Sequence, residues 1–333
     1  MPETQAKNHH LIPQTYMTPW ANHSGTLKVE FLSDPGNIVL RNKEKIAGIT
    51  DYYSIQAGMP VCSKADTERI FSAVSNYHVK INGVPTTDTL KMNNNFHDFD
   101  NWEITRQSGS PVSKRHIKQE IKQVKIKDIE TNWSIKYENN WSSVIQEIEK
   151  KVLNTTGDQI PPFQKEYLMK FFVALNWRGF HSNEHFENAY RKISALLFDD
   201  IDIPFGERDL PCLETAHDEL RHDLLLRYYR QFLEDKGVIY EQVQKSLQYT
   251  GISFLISDGP TLFNASDSPS FVFKRNDGTN QGIMPITPRI LLVQRKWSGQ
   301  NDSFYIHHIL DEEVQRYNAI IQGNAVSYII HAN

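Results

Sequence analysis

Apolar residues recur every three to four positions through the middle of this chain, while β-branched and aromatic runs crowd its two ends, and no other feature constrains the fold as much. Trp141, Val144, Ile145, Ile148 and Val152 share one helical face. Pro161-Pro162 then interrupts, and Tyr167, Phe171, Ala174 and Leu175 resume the spacing. A third helix is predicted over 184–198 through Phe186, Tyr190, Ile193 and Leu197, and a fourth carries Leu213, Ala216, Leu220, Leu224, Tyr228 and Phe232.

The ends read differently. Residues 26–32 and 52–55 favour short strands, with Asp34-Pro35-Gly36-Asn37 as turn chemistry between them. A helix is expected over 65–77, a tight turn at Asn82-Gly83, and a long surface loop over 85–111, where no period holds. Beyond 251 strands are predicted at 252–256, 271–273, 290–293, 304–309 and 326–330, with a helix over 311–322. Strands at both ends and helices between them predict an α+β fold: a mixed sheet built from N- and C-terminal strands, covered by a central helical layer. The expected organisation is one domain over 1–333, with 85–129 an elaboration within it.

At 333 residues the chain sits near the size, roughly 250–300 residues, at which single cores begin to divide. A net charge of −4 argues against a protein that coats nucleic acid indiscriminately, although a local basic groove stays compatible with it. Cys62 and Cys212 are the two cysteines, far apart, so neither a disulfide framework nor a thiolate zinc site is legible and a reducing cytoplasm fits. The start has no signal pattern, and no apolar stretch approaches the roughly 18 residues of a membrane span, so no membrane partner is expected.

Two segments carry unusual chemistry. His9-His10 precedes Pro13 and Tyr16, and an imidazole there could act as general base or metal ligand; on an extended chain the two histidines point to opposite faces. The proline and the aromatics Tyr16 and Trp20 argue that this segment is packed down. Asp258 follows the apolar Phe254-Leu255-Ile256 and precedes Gly259-Pro260, which sets a carboxylate at a strand end or, on the plainer reading, lets it cap its own turn. Arg178 closes the helix through Phe171 and Leu175, where it either anchors an anion or complements the helix C-terminus before Gly179.

Three further patterns carry plainer readings. His181-Ser182-Asn183-Glu184-His185 matches an inverted zinc-peptidase signature in letters, but Gly179 and an N-cap at Ser182 or Asn183 leave His181 outside the helix. Glu214 and His217 form half of a dimetal-bundle motif without its second copy, which leaves an ion-paired helix face. Lys114, Lys118, Lys122 and Lys125 alternate with Ile117, Ile121 and Val124, giving an amphipathic segment with a cationic stripe. Its bland role is a solubilising face and its functional one is docking of nucleic acid or an acidic partner.

His9-His10-x-x-Pro13-x-x-Tyr16, the 141–149 helix, Ser257-Asp258-Gly259-Pro260, Pro285-x-Thr287-Pro288 and the stretch from Asn318 to Tyr328 together resemble, in order and over nearly the whole chain, the bacterial family called domain of unknown function 4238. Trp20 stands where a phenylalanine is usual there, and 85–129 is this chain's own elaboration. The resemblance implies a single domain in a cytosolic bacterial protein and brings no activity with it. Families of this kind are often accessory genes, which puts a toxin or phage-defence role among the expectations.

From the residues, the first functional expectation is hydrolysis of a phosphodiester by a nuclease-like effector. His9 or His10 would serve as base or ligand, Asp258 as metal ligand or orienting acid, Arg178 as phosphate anchor, and Tyr16 as orienter of the histidine. Mg²⁺ or Mn²⁺ would suit such chemistry, and no pattern fixes the metal. The competing expectation is a sensor or binding module, in which those polar residues lock the chain's ends together and Lys118, Lys122 and Lys125 dock nucleic acid or a protein partner.

Overall fold

The chain divides into two units: Asp51–Asn132 with Asp199–Arg230 (and Met1–Ala6), and Lys7–Thr50 with Trp133–Phe198 and Gln231–Asn333. In this computed structural model the described residues are 8–46, 48–179, 186, 190–192, 194, 200–296 and 303–332.

The larger unit is built on two large sheets and the two-stranded pair of Asn8–His10 with Gly48–Thr50. Six strands run in the order Phe271–Lys274, Asn280–Thr287, Ile290–Lys296, Thr250–Ser257, Phe304–Ile309, Gln159–Ile160; all pairs are antiparallel except Phe304–Ile309 beside Thr250–Ser257. Strands this apolar must be covered on both faces. On one face Leu255, Phe271, Ile283, Leu291 and Val293 pack with Val314 and Ile321 of the Asp311–Gly323 helix. On the other, Phe254 and Phe304 meet Phe163, and the Lys165–Arg178 helix lies so close that a Cβ on Gly282 would come within 2.9 Å of the Phe172 ring. Only glycine lets that helix down. Trp141 stacks on Phe171 at 4.1 Å and so clamps the Asn139–Val152 helix to its neighbour.

The second sheet joins the chain's two ends. Its order is Ala265–Ser266, Tyr328–His331, Thr26–Phe31, Ile38–Asn42, all antiparallel, with Tyr328 opposite Phe31. The fold is therefore α+β with N- and C-terminal strands sharing a sheet, while the mixed sheet draws its strands from the C-terminal part and from Gln159–Ile160.

The smaller unit has a three-stranded antiparallel sheet, Val84–Thr86, Tyr77–Ile81, Glu103–Arg106, and the helices Lys64–Ile70, Thr89–Asn94 and Lys114–Gln123; the Ala216–Leu233 helix contributes its residues up to Arg230. Ser63 and Asp66 form a capping box at the first helix, which ends at Ile70 and tightens into a 3-10 turn at Phe71–Val74, so the helix expected over 65–77 stops short. The expected loop over 85–111 is structured. Short helices and 3-10 turns there bury Phe96 and Trp102 against Phe71, with Phe99 packed on both, and Asn93 is a buried connector that accepts from the Gly58 N–H and donates to the Met59 carbonyl. The residues at 52–55 form turns with a single bridge between Ile55 and Ile126, the strand lying just before them at Gly48–Thr50.

Candidate functional site

The four residues expected to carry catalysis with Asp258 lie in the larger unit, and the structure spends them on holding the N-terminal segment. His9 is buried on the strand Asn8–His10, opposite Ile49. Tyr16 is buried too; its hydroxyl donates to the Pro269 carbonyl at 3.2 Å, and burial pushes its pKa up. His10 Nε2 lies 3.1 Å from both the Glu44 carbonyl and the Gln14 amide nitrogen, donating to the first or accepting from the second according to its tautomer.

Arg178 is only 1% exposed. Its Nη1 donates to Glu138 Oε1 at 2.8 Å, its Nη2 to the His10 carbonyl at 2.6 Å, and its guanidinium lies 4.6 Å from the centre of the Trp133 ring. Arg178 thus meets His10 through the backbone, with its charge already answered by Glu138. That is the geometry of a structural clasp.

Asp258 takes a different imidazole from the one expected. Its Oδ1 sits 2.7 Å from His308 Nδ1, with side chains 48% and 51% exposed, at the ends of the parallel strands Thr250–Ser257 and Phe304–Ile309. The turn below is held from within: Asp311 Oδ1 accepts from the Thr261 N–H at 3.0 Å and would lie 2.1 Å from any Cβ placed on Gly259. Arg289 Nη1 donates to the Ser257 carbonyl at 3.3 Å.

The three lysines expected to bind do come together. A polar cleft of about 640 Å³ in the smaller unit is lined by Lys118, Lys122 and Lys125, along with Gln56, Arg208 and Asp209. Ile117 and Ile121 anchor the Lys114–Gln123 helix in the core, which turns Lys118 and Lys122 outward, and the chain beyond the helix brings in Lys125. Lys118 pairs with Asp100 at 2.8 Å, whereas Lys122 makes no hydrogen bond or ion pair among the described residues. Lys125 Nζ donates to Gln56 Oε1, and Gln56 Nε2 donates in turn to Asp209 Oδ1 and to the Asp209 carbonyl, both at 3.0 Å. The Asp209 N–H donates to Glu219 Oε1 at 2.7 Å.

Burial governs the electrostatics here. Desolvation lowers the Lys125 pKa and raises those of Asp209 and Glu219, so ammonium and carboxyls alike are driven towards neutrality. Behind the cleft wall the Asp223 carboxyl is pushed up to about 8, first by burial and then by the charges of Asp209 and Glu219, and its Oδ1 has no hydrogen-bond partner among the described residues. Of this group the sequence marks only Glu219, Asp223 and Arg227, whose four-residue spacing sets a charged row on one helix. Gln56 and Asp209 carry no such mark.

The pattern His181 to His185 lies outside the described residues. Glu214 precedes the Ala216–Leu233 helix and reaches Arg208 at 3.5 Å, and His217 faces Asp200 at the same separation, which matches the ion-paired reading of that motif. Among the described residues no group of three or more His, Cys, Asp or Glu side chains is placed to hold a metal, and no helix is long and apolar enough to cross a membrane.

No curated protein and no solved structure matches the chain. A family model does, over residues 8–333, and with both sheets and the cleft inside that span the chain belongs to the family described as "Protein of unknown function (DUF4238)".

Proposed function

We propose that this protein is a cytoplasmic binding module that captures a phosphate-bearing ligand in the lysine-lined cleft. The observation that carries the reading is Lys125: a half-buried ammonium, weakened by desolvation, whose direct partner is the neutral Gln56 amide. Burying a cation without a contacting counter-ion is costly, and a bound phosphate would offset that cost while taking up Lys122 as well. Asp100 has its own lysine, and burial disfavours the charged forms of Asp209 and Glu219.

Binding to tripolyphosphate and to a labelled oligonucleotide, measured over a range of salt, tests the reading. Affinity should fall as salt rises, and Lys122→Gln with Lys125→Gln should weaken binding about tenfold or more. Equal binding by wild type and the double variant would overturn it.

Phosphodiester hydrolysis is a second reading, and the Asp258–His308 pair favours it. A carboxylate on Nδ1 fixes the imidazole and leaves Nε2 to move a proton, with Arg289 anchored beside it as an anion donor. Incubation with RNA and DNA, with and without Mg²⁺ or Mn²⁺, decides it. Equal cleavage by wild type and His308→Ala, or cleavage by neither, removes this reading.

A further inference from the structure

Resting on the phosphate-binding reading of the cleft, we propose that its occupant is a single strand of nucleic acid and that Phe205 is the platform on which one base stacks. Phe205 is 72% exposed, an unusual position for a large apolar ring. It stands at the corner of a turn closed by the Glu207 N–H donating to the Pro204 carbonyl at 2.8 Å, and the residues that follow it, Gly206 to Asp209, line the cleft. The ring is therefore borne one residue before the segment that lines the cleft.

The turn is held in place. Residues 201–203 and 214–216 are laced by hydrogen bonds from Ile203 N–H to the Glu214 carbonyl and from Ala216 N–H to the Ile201 carbonyl, each 2.9 Å. Arg208 lies 5.8 Å from the centre of the Phe205 ring, with its Nε donating to the Ile203 carbonyl at 2.9 Å and its Nη1 to the Pro211 carbonyl at 3.2 Å. A fixed guanidinium thus stands by the Phe205 ring, which is otherwise largely exposed. A fixed aromatic beside a lysine-bearing groove is how proteins hold unpaired strands, since every base offers a π-face for stacking and lysines meet the phosphates. A duplex hides those faces within its own stack. Here the wall carries Lys118, Lys122, Lys125 and Arg208 alongside Asp100, Glu207, Asp209 and Glu219.

The test measures anisotropy of a labelled oligothymidylate and of an abasic strand of equal length with wild type, Phe205→Ala and Phe205→Trp, and includes tripolyphosphate as a competitor. Wild type should prefer the base-bearing strand about tenfold, Phe205→Ala should bring it down to the affinity of the abasic strand, and Phe205→Trp should restore the preference. Equal affinity of wild type for the two strands, an undiminished preference in Phe205→Ala, or binding of tripolyphosphate alone would overturn the stacking platform and leave the phosphate reading standing. Failure of wild type to bind either strand or tripolyphosphate would overturn both.

Discussion

Arg178 in the larger unit, buried, and Lys125 in the smaller, half-buried, are both cations at the end of an apolar pattern, yet their surroundings oppose each other. Arg178 has a carboxylate, a carbonyl and an indole face, so its charge is answered inside the protein. Lys125 touches one neutral amide, the Asp51 and Asp209 carboxylates act on it without contact, and burial lowers its pKa. The difference teaches that residue type does not mark a binding group; a charge without a contacting counter-ion does.

The largest expected effect falls on the answered side. Arg178→Ala strands Glu138 and frees the His10 carbonyl, and should destabilise the protein by about 3–5 kcal/mol in chemical denaturation. A loss below about 1 kcal/mol would break the comparison.

Asp223 gives the next effect. Its folded pKa, about 8, lies above its ordinary value of 3.8. Below the lower value both states hold the proton; as pH rises towards 8 the unfolded chain gives it up first, so the stability tied to this proton is present in acid and lost with rising pH. The slope reaches about 1.4 kcal/mol per pH unit. Asp223→Asn should flatten the fall in Tm between pH 5 and pH 8, and an unchanged pH profile would remove the buried acid from the account.

Two smaller effects sharpen the contrast. Lys122→Gln with Lys125→Gln should destabilise the protein by no more than about 0.5 kcal/mol, because Lys122 is exposed and neutralising the desolvated Lys125 removes a cost. A loss as large as that of Arg178→Ala would make the cleft lysines structural. His308→Ala removes a half-exposed pair and should cost no more than about 1 kcal/mol, so a cleavage defect without a melting defect would separate catalysis from architecture.

Much of the fold is legible because it is local. Phe304–Ile309 is a strand over the residues its pattern marks, and Ile117 and Ile121 set the inward face of the Lys114–Gln123 helix. Other elements hide. Asn280–Thr287 carries Asn280, Gly282 and Pro285, which argue against a central strand; the sheet admits Gly282 because Phe172 packs there and Pro285 because the register shifts beside it. The 85–111 stretch lacks a period because its aromatics sit on short helices and 3-10 turns. In the candidate site the three lysines are legible, since one helical face and the residues just after it carry them. Gln56 and Asp209 are not, for they lie 153 positions apart and meet only through a side-chain hydrogen bond.

By itself the sequence determined the helices at Asn139–Val152 and Lys165–Arg178, the strand-rich character of both ends, and the cationic stripe, because side-chain period and turn chemistry act over a few residues. Only the tertiary structure decided that Asp258 faces His308, that Glu138 answers Arg178, and that Lys125 is left with an amide. Charges find partners across space, and the energy of each pairing depends on burial that no local pattern encodes.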